Sequence, residues 1–224
     1  QLSLTPSVFR ALSDEEMSKP DGDLAIQAVW FGGEALTPID LQPWAQRYID
    51  CCLINLFGIT ETTVHTTFRP LTIEDLNRSD SPIGAPLPSY GLTIRDAGLR
   101  PVPAGIQGEI VVSGSGLARG YLGQPIETAA RFVVDPHDPS VRLYRSGDLG
   151  RMGLDGEVTY LGRADDQVKL RGYRIELGEI ETKLNTISEI KQAIVIAKKD
   201  TNQEAFLVAY IIKESESYNE QKCI

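Results

Sequence analysis

A chain of 224 residues, at about 150 residues per domain, holds one large domain or one and a half. Its 31 acidic side chains against 22 lysines and arginines leave a formal charge of −9. That acidity excludes a nucleic-acid backbone and an anionic membrane surface as partners, since both require a basic face. At 42% hydrophobic and 24% charged residues the chain can bury a core and is not disordered by composition. No apolar run reaches the roughly 18 residues of a membrane span, and no signal-peptide pattern opens the chain. The three cysteines, Cys51, Cys52 and Cys223, form no disulfide framework and fit buried small hydrophobes in a reducing cytoplasm.

Leu24–Phe31 is an apolar run that predicts a buried strand, ending in Gly32-Gly33-Glu34, a turn where backbone can approach a ligand closely. A helix is expected between Thr37-Pro38 and Tyr48, with Leu41, Trp44, Ala45 and Tyr48 on one face. Pro43 fits its first turn if Asp40 is the N-cap, and sits too deep if Pro38 opens the helix. Cys51–Phe57 predicts a second buried strand with Gly58-Ile59-Thr60-Glu61 as the loop at its carboxyl end. Strand, helix and strand of these lengths imply a right-handed crossover in a parallel sheet. From Ser79 prolines punctuate short strands such as Leu92–Arg95 and Glu109–Ser113, and Asp155-Gly156 marks a hairpin between Leu149–Leu154 and Glu157–Leu161. This region reads as antiparallel and barrel-like, with a short helix near Glu127–Phe132. After Gly162-Arg163, Leu177, Ile180, Leu184 and Ile187 make an amphipathic helix, with Glu179 four residues before Lys183. Strands Ala193–Ala197 and Phe206–Ile212, separated by a polar turn at Asp200–Glu204, complete a small α+β unit.

Thr60-Glu61 pairs a hydroxyl with a carboxylate at a strand's carboxyl end, the usual ligand crevice of an open α/β sheet. Thr60 can donate to a phosphate oxygen and Glu61 can hold a magnesium ion that bridges phosphates. The same stretch also suits a helix start at which Thr60 and Thr62 satisfy backbone groups, and spacing alone favours that reading. Asp148, in Arg145-Ser146-Gly147-Asp148, could accept two hydrogen bonds from a vicinal diol such as ribose, or be a turn aspartate. Gly114-Ser115-Gly116 lacks the following Lys-Ser/Thr and the strand-to-helix setting of a phosphate loop. His65 and His137 have no neighbours at metal-ligand spacing, so zinc is not expected. No Gly-x-Ser-x-Gly elbow of a serine hydrolase is present.

Taken together, the motifs resemble the adenylate-forming superfamily, and more narrowly the adenylation domains of non-ribosomal peptide synthetases. Asn55-Leu56-Phe57-Gly58-Ile59-Thr60-Glu61 is similar to that family's Asn-x-Tyr-Gly-x-Thr-Glu loop. Gly108–Tyr121 (GEIVVSGSGLARGY) resembles the next motif, and Tyr144-Arg145-Ser146-Gly147-Asp148-Leu149 resembles its Tyr-Arg-Thr-Gly-Asp-Leu. Gly162–Glu181 (GRADDQVKLRGYRIELGEIE) resembles the long hinge motif almost position for position. Its Gln-Val-Lys-x-Arg-Gly-x-Arg-Ile-Glu-Leu run favours the peptide-synthetase branch over acyl-CoA ligases and luciferases. Phe57 for Tyr and Ser146 for Thr are mild departures.

The resemblance implies activation of an amino acid by ATP and magnesium to an aminoacyl-adenylate, followed by transfer to the phosphopantetheine thiol of a peptidyl carrier domain beside other synthetase domains. It implies that Thr60 binds phosphate oxygens and Glu61 ligates the metal. Gly33, Glu34, Ala35 and Asn55 would meet the adenine edge, and Phe57 its face. Asp148 would accept the ribose hydroxyls with Arg163 beside the ribose and phosphate. Ser3, Trp30, Gly32, Leu56, Val64 and His65 would line the amino-acid pocket, His65 either reading a polar substrate side chain or packed as a neutral ring. Asp165 would be the hinge and Gly172 would border the pantetheine tunnel. The expected layout is the C-terminal half of a large α/β plus β-barrel-like subdomain over residues 1–162, a hinge over 163–165, and a small α+β C-terminal subdomain over 166–224.

The chain starts at Gln1 and stops at Lys222-Cys223-Ile224 without a closing element, so a fragment is expected. The family's Ser/Thr/Gly-rich phosphate loop, its aspartate for the substrate amino group and its C-terminal lysine have no counterpart here. With its first strand expected to start inside a sheet whose neighbours are missing, leaving an exposed edge and open core, the isolated polypeptide is expected neither to fold well nor to adenylate. The competing readings are an acid–thiol ligase acting on free coenzyme A, and a non-catalytic interaction remnant.

Overall fold

A computed structural model describes residues 1–20, 24–165, 167–170, 172–199 and 205–214 of the chain. The expected turn at Asp200–Glu204 and the residues Lys222-Cys223-Ile224 lie outside them. The chain divides into two compact units, Gln1–Ala164 and Asp165–Ile224.

The first unit opens with a strand, β1 (Leu2–Leu4), and a helix, α1 (Pro6–Met17), that the apolar periodicity does not reveal. The helix start is nevertheless encoded locally. Thr5 is an extended N-cap whose hydroxyl accepts from Val8 N, and Pro6 takes the first helical position, where its missing N–H costs nothing. Strand β2 is Ala28–Phe31, only the last four residues of the expected apolar run, and β3 is Cys52–Asn55. Both β1–β2 and β2–β3 are parallel. Between β2 and β3 lies a 3₁₀ turn, Pro38–Leu41, and then α2 (Gln42–Arg47). Pro43 thus falls in the first turn of the α-helix. Cys51 is half-buried and Cys52 exposed, contrary to the expected burial, because Cys52 opens β3 where the chain enters the sheet.

Strands β4 (Thr67–Pro70), β5 (Ser81–Pro86), β6 (Tyr90–Arg95), β7 (Gln107–Gly114), β8 (Phe132–Val134), β9 (Arg142–Met152) and β10 (Val158–Arg163) continue the sheet in antiparallel fashion. The order is β1-β2-β3-β4-β5-β10-β9-β7-β6, with β8 also paired to β9, so ten strands form one mixed sheet. The short helix α3 (Pro125–Arg131) precedes β8. The hairpin at Asp155-Gly156 turns as expected: Gly156 takes φ +81°, Val158 pairs with Met152, and Gly153 N donates to Glu157 O at 2.7 Å.

One core lies against the parallel strands, where Val29, Phe31 and Leu53 meet Phe9 and Trp44. Phe9 packs edge-on against Phe31 and against Trp44, each at 4.9 Å between centroids. A second core, Phe57, Ile83, Leu92, Ile94, Ile110, Val112 and Val158, fills the antiparallel half. At its margin Arg95 Nη2 donates to Asp135 Oδ2 at 2.6 Å and His137 N donates to Oδ1 at 2.9 Å, with the Arg95 and Asp135 side chains both buried.

The Arg95 hydrogen bond, then that of His137, hold the Asp135 carboxyl down at about 2. Its unfolded value is about 3.9, so the stabilisation is full above that pH and is lost as pH falls towards 2. The thermal midpoint should therefore drop over this window, and Asp135→Asn should remove part of that dependence while lowering the midpoint at neutral pH. An identical acid profile for the variant would contradict this assignment.

The second unit contains the hairpin β11 (Gln167–Leu170) and β12 (Tyr173–Glu176), the helix α4 (Leu177–Leu184), and the antiparallel pair β13 (Ile190–Lys199) and β14 (Ala205–Lys213). α4 ends at Leu184, one turn earlier than its apolar period suggests. The side chain of its C-cap Asn185 accepts from Ala193 N at 2.7 Å, and Glu181 accepts from Val195 N at 2.7 Å. These bonds tie the helix to β13 and leave Ile187 in a turn. Among the described residues no helix is long and apolar enough to cross a membrane.

Candidate functional site

Strand alternation separates the packing face of the parallel strands from a second face. Val29, Phe31 and Leu53 are committed to the helical core. Ser3, Trp30 and Ile54 lie in one row across β1, β2 and β3 on the other side. The Trp30 ring is 6.0 Å from that of Phe68 on β4.

Beyond the carboxyl ends of these strands, Gly32 N donates to Leu4 O at 3.3 Å and Leu56 N to Phe31 O at 2.9 Å, which draws three loops together. Glu34 accepts from the amide and hydroxyl of Ser7 at 3.0 and 2.9 Å, pinning the Gly33-Glu34 loop to the start of α1. Gly33 takes φ +84° and is exposed beside Ala35, so this loop presents backbone rather than side chain. A Cβ on Gly32 would lie 3.2 Å from His65 Cε1, so His65 packs directly over Gly32. Burial pushes the His65 imidazole below its ordinary value, leaving it neutral at pH 7. Of the other expected pocket residues, Leu56 is buried and Val64 is exposed with φ +69°.

The loop after β3 forms a single 3₁₀ turn, Thr60–Thr62. Its backbone is satisfied by Thr62, not Thr60: the Thr62 hydroxyl accepts from Ile59 N at 3.3 Å and contacts the Thr66 hydroxyl at 2.8 Å. Thr60 is exposed, and among the described residues its hydroxyl has no hydrogen-bond partner. Glu61 is only 6% exposed, and its Oε1 accepts from the Tyr121 hydroxyl at 2.7 Å. Gly58 permits the turn to fold back, since a Cβ there would stand 2.0 Å from Val64 O.

Asp148 lies within β9 rather than in a turn, at an irregularity where Gly147 takes φ +71°. The Glu109 carboxylate accepts from Gly147 N at 3.0 Å and the Ser146 hydroxyl donates to Ile110 O at 2.6 Å, which fixes this bulge against β7. Asp148 is fully buried. Its Oδ1 accepts from Arg163 Nη1 at 3.1 Å and from the Tyr160 hydroxyl at 3.4 Å. The Tyr160 ring sits 6.0 Å from the Phe57 ring. Phe57, Tyr160, Asp148 and Arg163 therefore form one continuous wall. Nothing in the sequence marks Tyr160 for this place, because its role depends on β10 lying between β5 and β9.

Asn55 is buried at the end of β3, where Nδ2 donates to Pro82 O at 2.7 Å and makes a longer contact of 3.5 Å to Ser81 Oγ. Both amide hydrogens are thus spent within the sheet. In the second unit Asp165 is exposed and its Oδ1 accepts from Gln167 N, while Gly172 turns the β11–β12 hairpin with φ +80°.

Among the described residues no three His, Cys, Asp or Glu side chains gather into a metal cage. One nearly buried carboxylate beside an exposed hydroxyl suits magnesium held mainly by phosphate oxygens, an arrangement that needs only one or two carboxylates.

Residues 1–122 match the family of AMP-binding enzymes. The dimodular nonribosomal peptide synthase of Bacillus subtilis (strain 168) is 44% identical over 225 residues, covering 97% of this chain but only 9% of that protein. Among solved structures, holo-PA1221, an NRPS protein containing adenylation and PCP domains bound to a vinylsulfonamide inhibitor, superposes with a TM-score of 0.86 at 29% identity. That match covers 96% of this chain and 37% of the other. Holo-AB3403, a four-domain nonribosomal peptide synthetase bound to AMP and glycine, is 38% identical with a TM-score of 0.63, over 96% of this chain and 16% of that one. The chain thus spans under a tenth of the curated relative and under two fifths of these solved chains.

Proposed function

This chain belongs to the AMP-binding enzyme family, and from that premise we propose that it is part of an amino-acid-activating domain of a peptide synthetase. The reaction joins an amino-acid carboxylate to the α-phosphate of ATP and releases pyrophosphate. A carrier domain's phosphopantetheine thiol then takes the aminoacyl group and releases AMP. The observation that carries the reading is the Phe57–Tyr160–Asp148–Arg163 wall, together with an exposed Thr60 and a nearly buried Glu61 at the carboxyl ends of parallel strands. The antiparallel half is read as the barrel-like portion of the large subdomain.

The carboxylate is a weak nucleophile, so the protein's part is positioning and charge neutralisation at the α-phosphate. In this reading Thr60 donates to phosphate oxygens and Glu61 holds magnesium, which neutralises the phosphates when bound. Asp148 accepts the ribose hydroxyls once Arg163 shares it with the nucleotide. Asn55 offers only its amide oxygen to the adenine edge, beside the backbone of Gly33, Glu34 and Ala35, with Phe57 behind the ring. Ser3, Trp30, Gly32, Leu56, Val64 and His65 line the amino-acid pocket. Gly32 leaves it open and a neutral His65 reads or packs against the substrate side chain.

Gly172 borders the pantetheine path, and Asp165 is the hinge between Gln1–Ala164 and Asp165–Ile224. Because the chain spans so small a part of its relatives, the activity is proposed for a longer protein, and the 224-residue polypeptide on its own is expected to show no pyrophosphate exchange. Fixing φ at the hinge by Asp165→Pro in the parent protein should spare amino-acid-dependent pyrophosphate exchange while blocking loading of labelled amino acid onto the carrier. Equal loss of both steps would remove Asp165 from that role.

A further inference from the structure

We propose that Tyr121, backed by Tyr144, is a positioning residue that sets the orientation of the Glu61 carboxylate towards the metal and its phosphates. The Tyr121 hydroxyl donates to Glu61 Oε1 at 2.7 Å and lies 3.2 Å from the Tyr144 hydroxyl. Tyr144 is fully buried on β9, and the rings of Tyr121 and Tyr144 both pack on Phe132, at 5.6 and 4.8 Å. The donor is thus held by packing, not by solvent.

The same segment grips the turn at the backbone. Ala118 N donates to Glu61 O at 2.8 Å, and the Thr63 hydroxyl donates to Gly116 O at 2.7 Å. From β6, the Tyr90 hydroxyl donates to Thr62 O at 2.6 Å. Gly116 is required for this arrangement, since a Cβ there would stand 1.9 Å from the Tyr90 hydroxyl. Residues 114–121 therefore brace the Thr60–Thr62 turn, and Tyr121 carries this brace to the carboxylate itself. A carboxylate with one oxygen fixed by a phenol presents the other in a defined direction, as partners behind a metal ligand generally do.

The inference rests on Glu61 being the metal ligand, so the test separates the two. In the parent protein, Tyr121→Phe, Tyr144→Phe and Glu61→Gln are compared by pyrophosphate exchange against magnesium concentration. Binding of Mn2+ with a non-hydrolysable ATP analogue, followed by electron paramagnetic resonance, supplies a readout independent of turnover. Tyr121→Phe keeps the ring against Phe132 and should leave the thermal midpoint nearly unchanged. It should weaken Mn2+ binding and raise the magnesium requirement by about 10- to 100-fold, with Tyr144→Phe shifting both in the same direction but less. Normal metal binding in Tyr121→Phe with strong loss in Glu61→Gln would overturn the positioning role alone. Normal metal binding in Glu61→Gln would overturn the ligand assignment and this inference with it. Should Tyr121→Phe fail to fold, Tyr144→Phe carries the same test, and an unchanged magnesium profile there would count against the proposal.

Discussion

Glu61→Ala in the parent protein is expected to lower amino-acid-dependent adenylation by about 100- to 1,000-fold, equivalent to about 2.7–4 kcal/mol of transition-state stabilisation. Two features make this the largest catalytic effect. The carboxylate is nearly buried, so water cannot readily replace it, and it lies next to the exposed Thr60 hydroxyl at the open end of the parallel strands. The turn that presents it is held by Thr62, Ala118 and Tyr90, none of which depends on the Glu61 side chain. The variant should therefore stay folded, and its thermal midpoint checks that. A folded and fully active variant would eliminate the metal-ligand role.

Asp148→Ala is expected to act on both stability and nucleotide binding, and a double variant separates the two. Asp148 is fully buried against Arg163, whose side chain is 9% exposed. Removing the carboxylate breaks a buried ion pair, and Arg163 then keeps its bond to Ser146 O at 2.9 Å, so the thermal midpoint should fall. Loss of the proposed charge-assisted bonds to the ribose hydroxyls should weaken ATP binding by about 1.5–3 kcal/mol as well. The double variant Asp148→Ala/Arg163→Met should recover much of the stability and none of the nucleotide affinity. Recovery of affinity together with stability would show that Asp148 serves the fold alone.

The features legible in the sequence are those written locally. Asp155-Gly156 specifies its hairpin through one glycine at positive φ, and the alternation within β2 separates Val29 and Phe31 from Trp30. The loop from Asn55 to Glu61 is recognisable as a motif, yet its internal division of labour is not. Whether Thr60 or Thr62 closes the turn depends on the fold-back at Gly58, which places Thr66 beside Thr62. Helix α1 escapes a reading by periodicity although Thr5-Pro6 is a recognisable start. Its apolar pattern is mixed, and it is fixed to the sheet through Phe9 and through Glu34, 27 residues beyond Ser7. Contacts of long sequence separation are wholly hidden. Tyr121 reaches Glu61 across 60 residues, and Tyr160 reaches Phe57 only because β5, β10 and β9 are neighbours. The donors of Asn55 illustrate the same limit, since their partners lie on β5.

We propose that the Thr60-Glu61 turn and the Asp148 wall belong to an enzyme that activates an amino acid through its adenylate. The most direct measurement is exchange of labelled pyrophosphate into ATP by the parent protein, run against a panel of amino acids. Exchange should depend on one or a few amino acids, require magnesium and be lost in Glu61→Ala. An absence of amino-acid-dependent exchange, with AMP formed instead from another carboxylic acid and free coenzyme A, would contradict it.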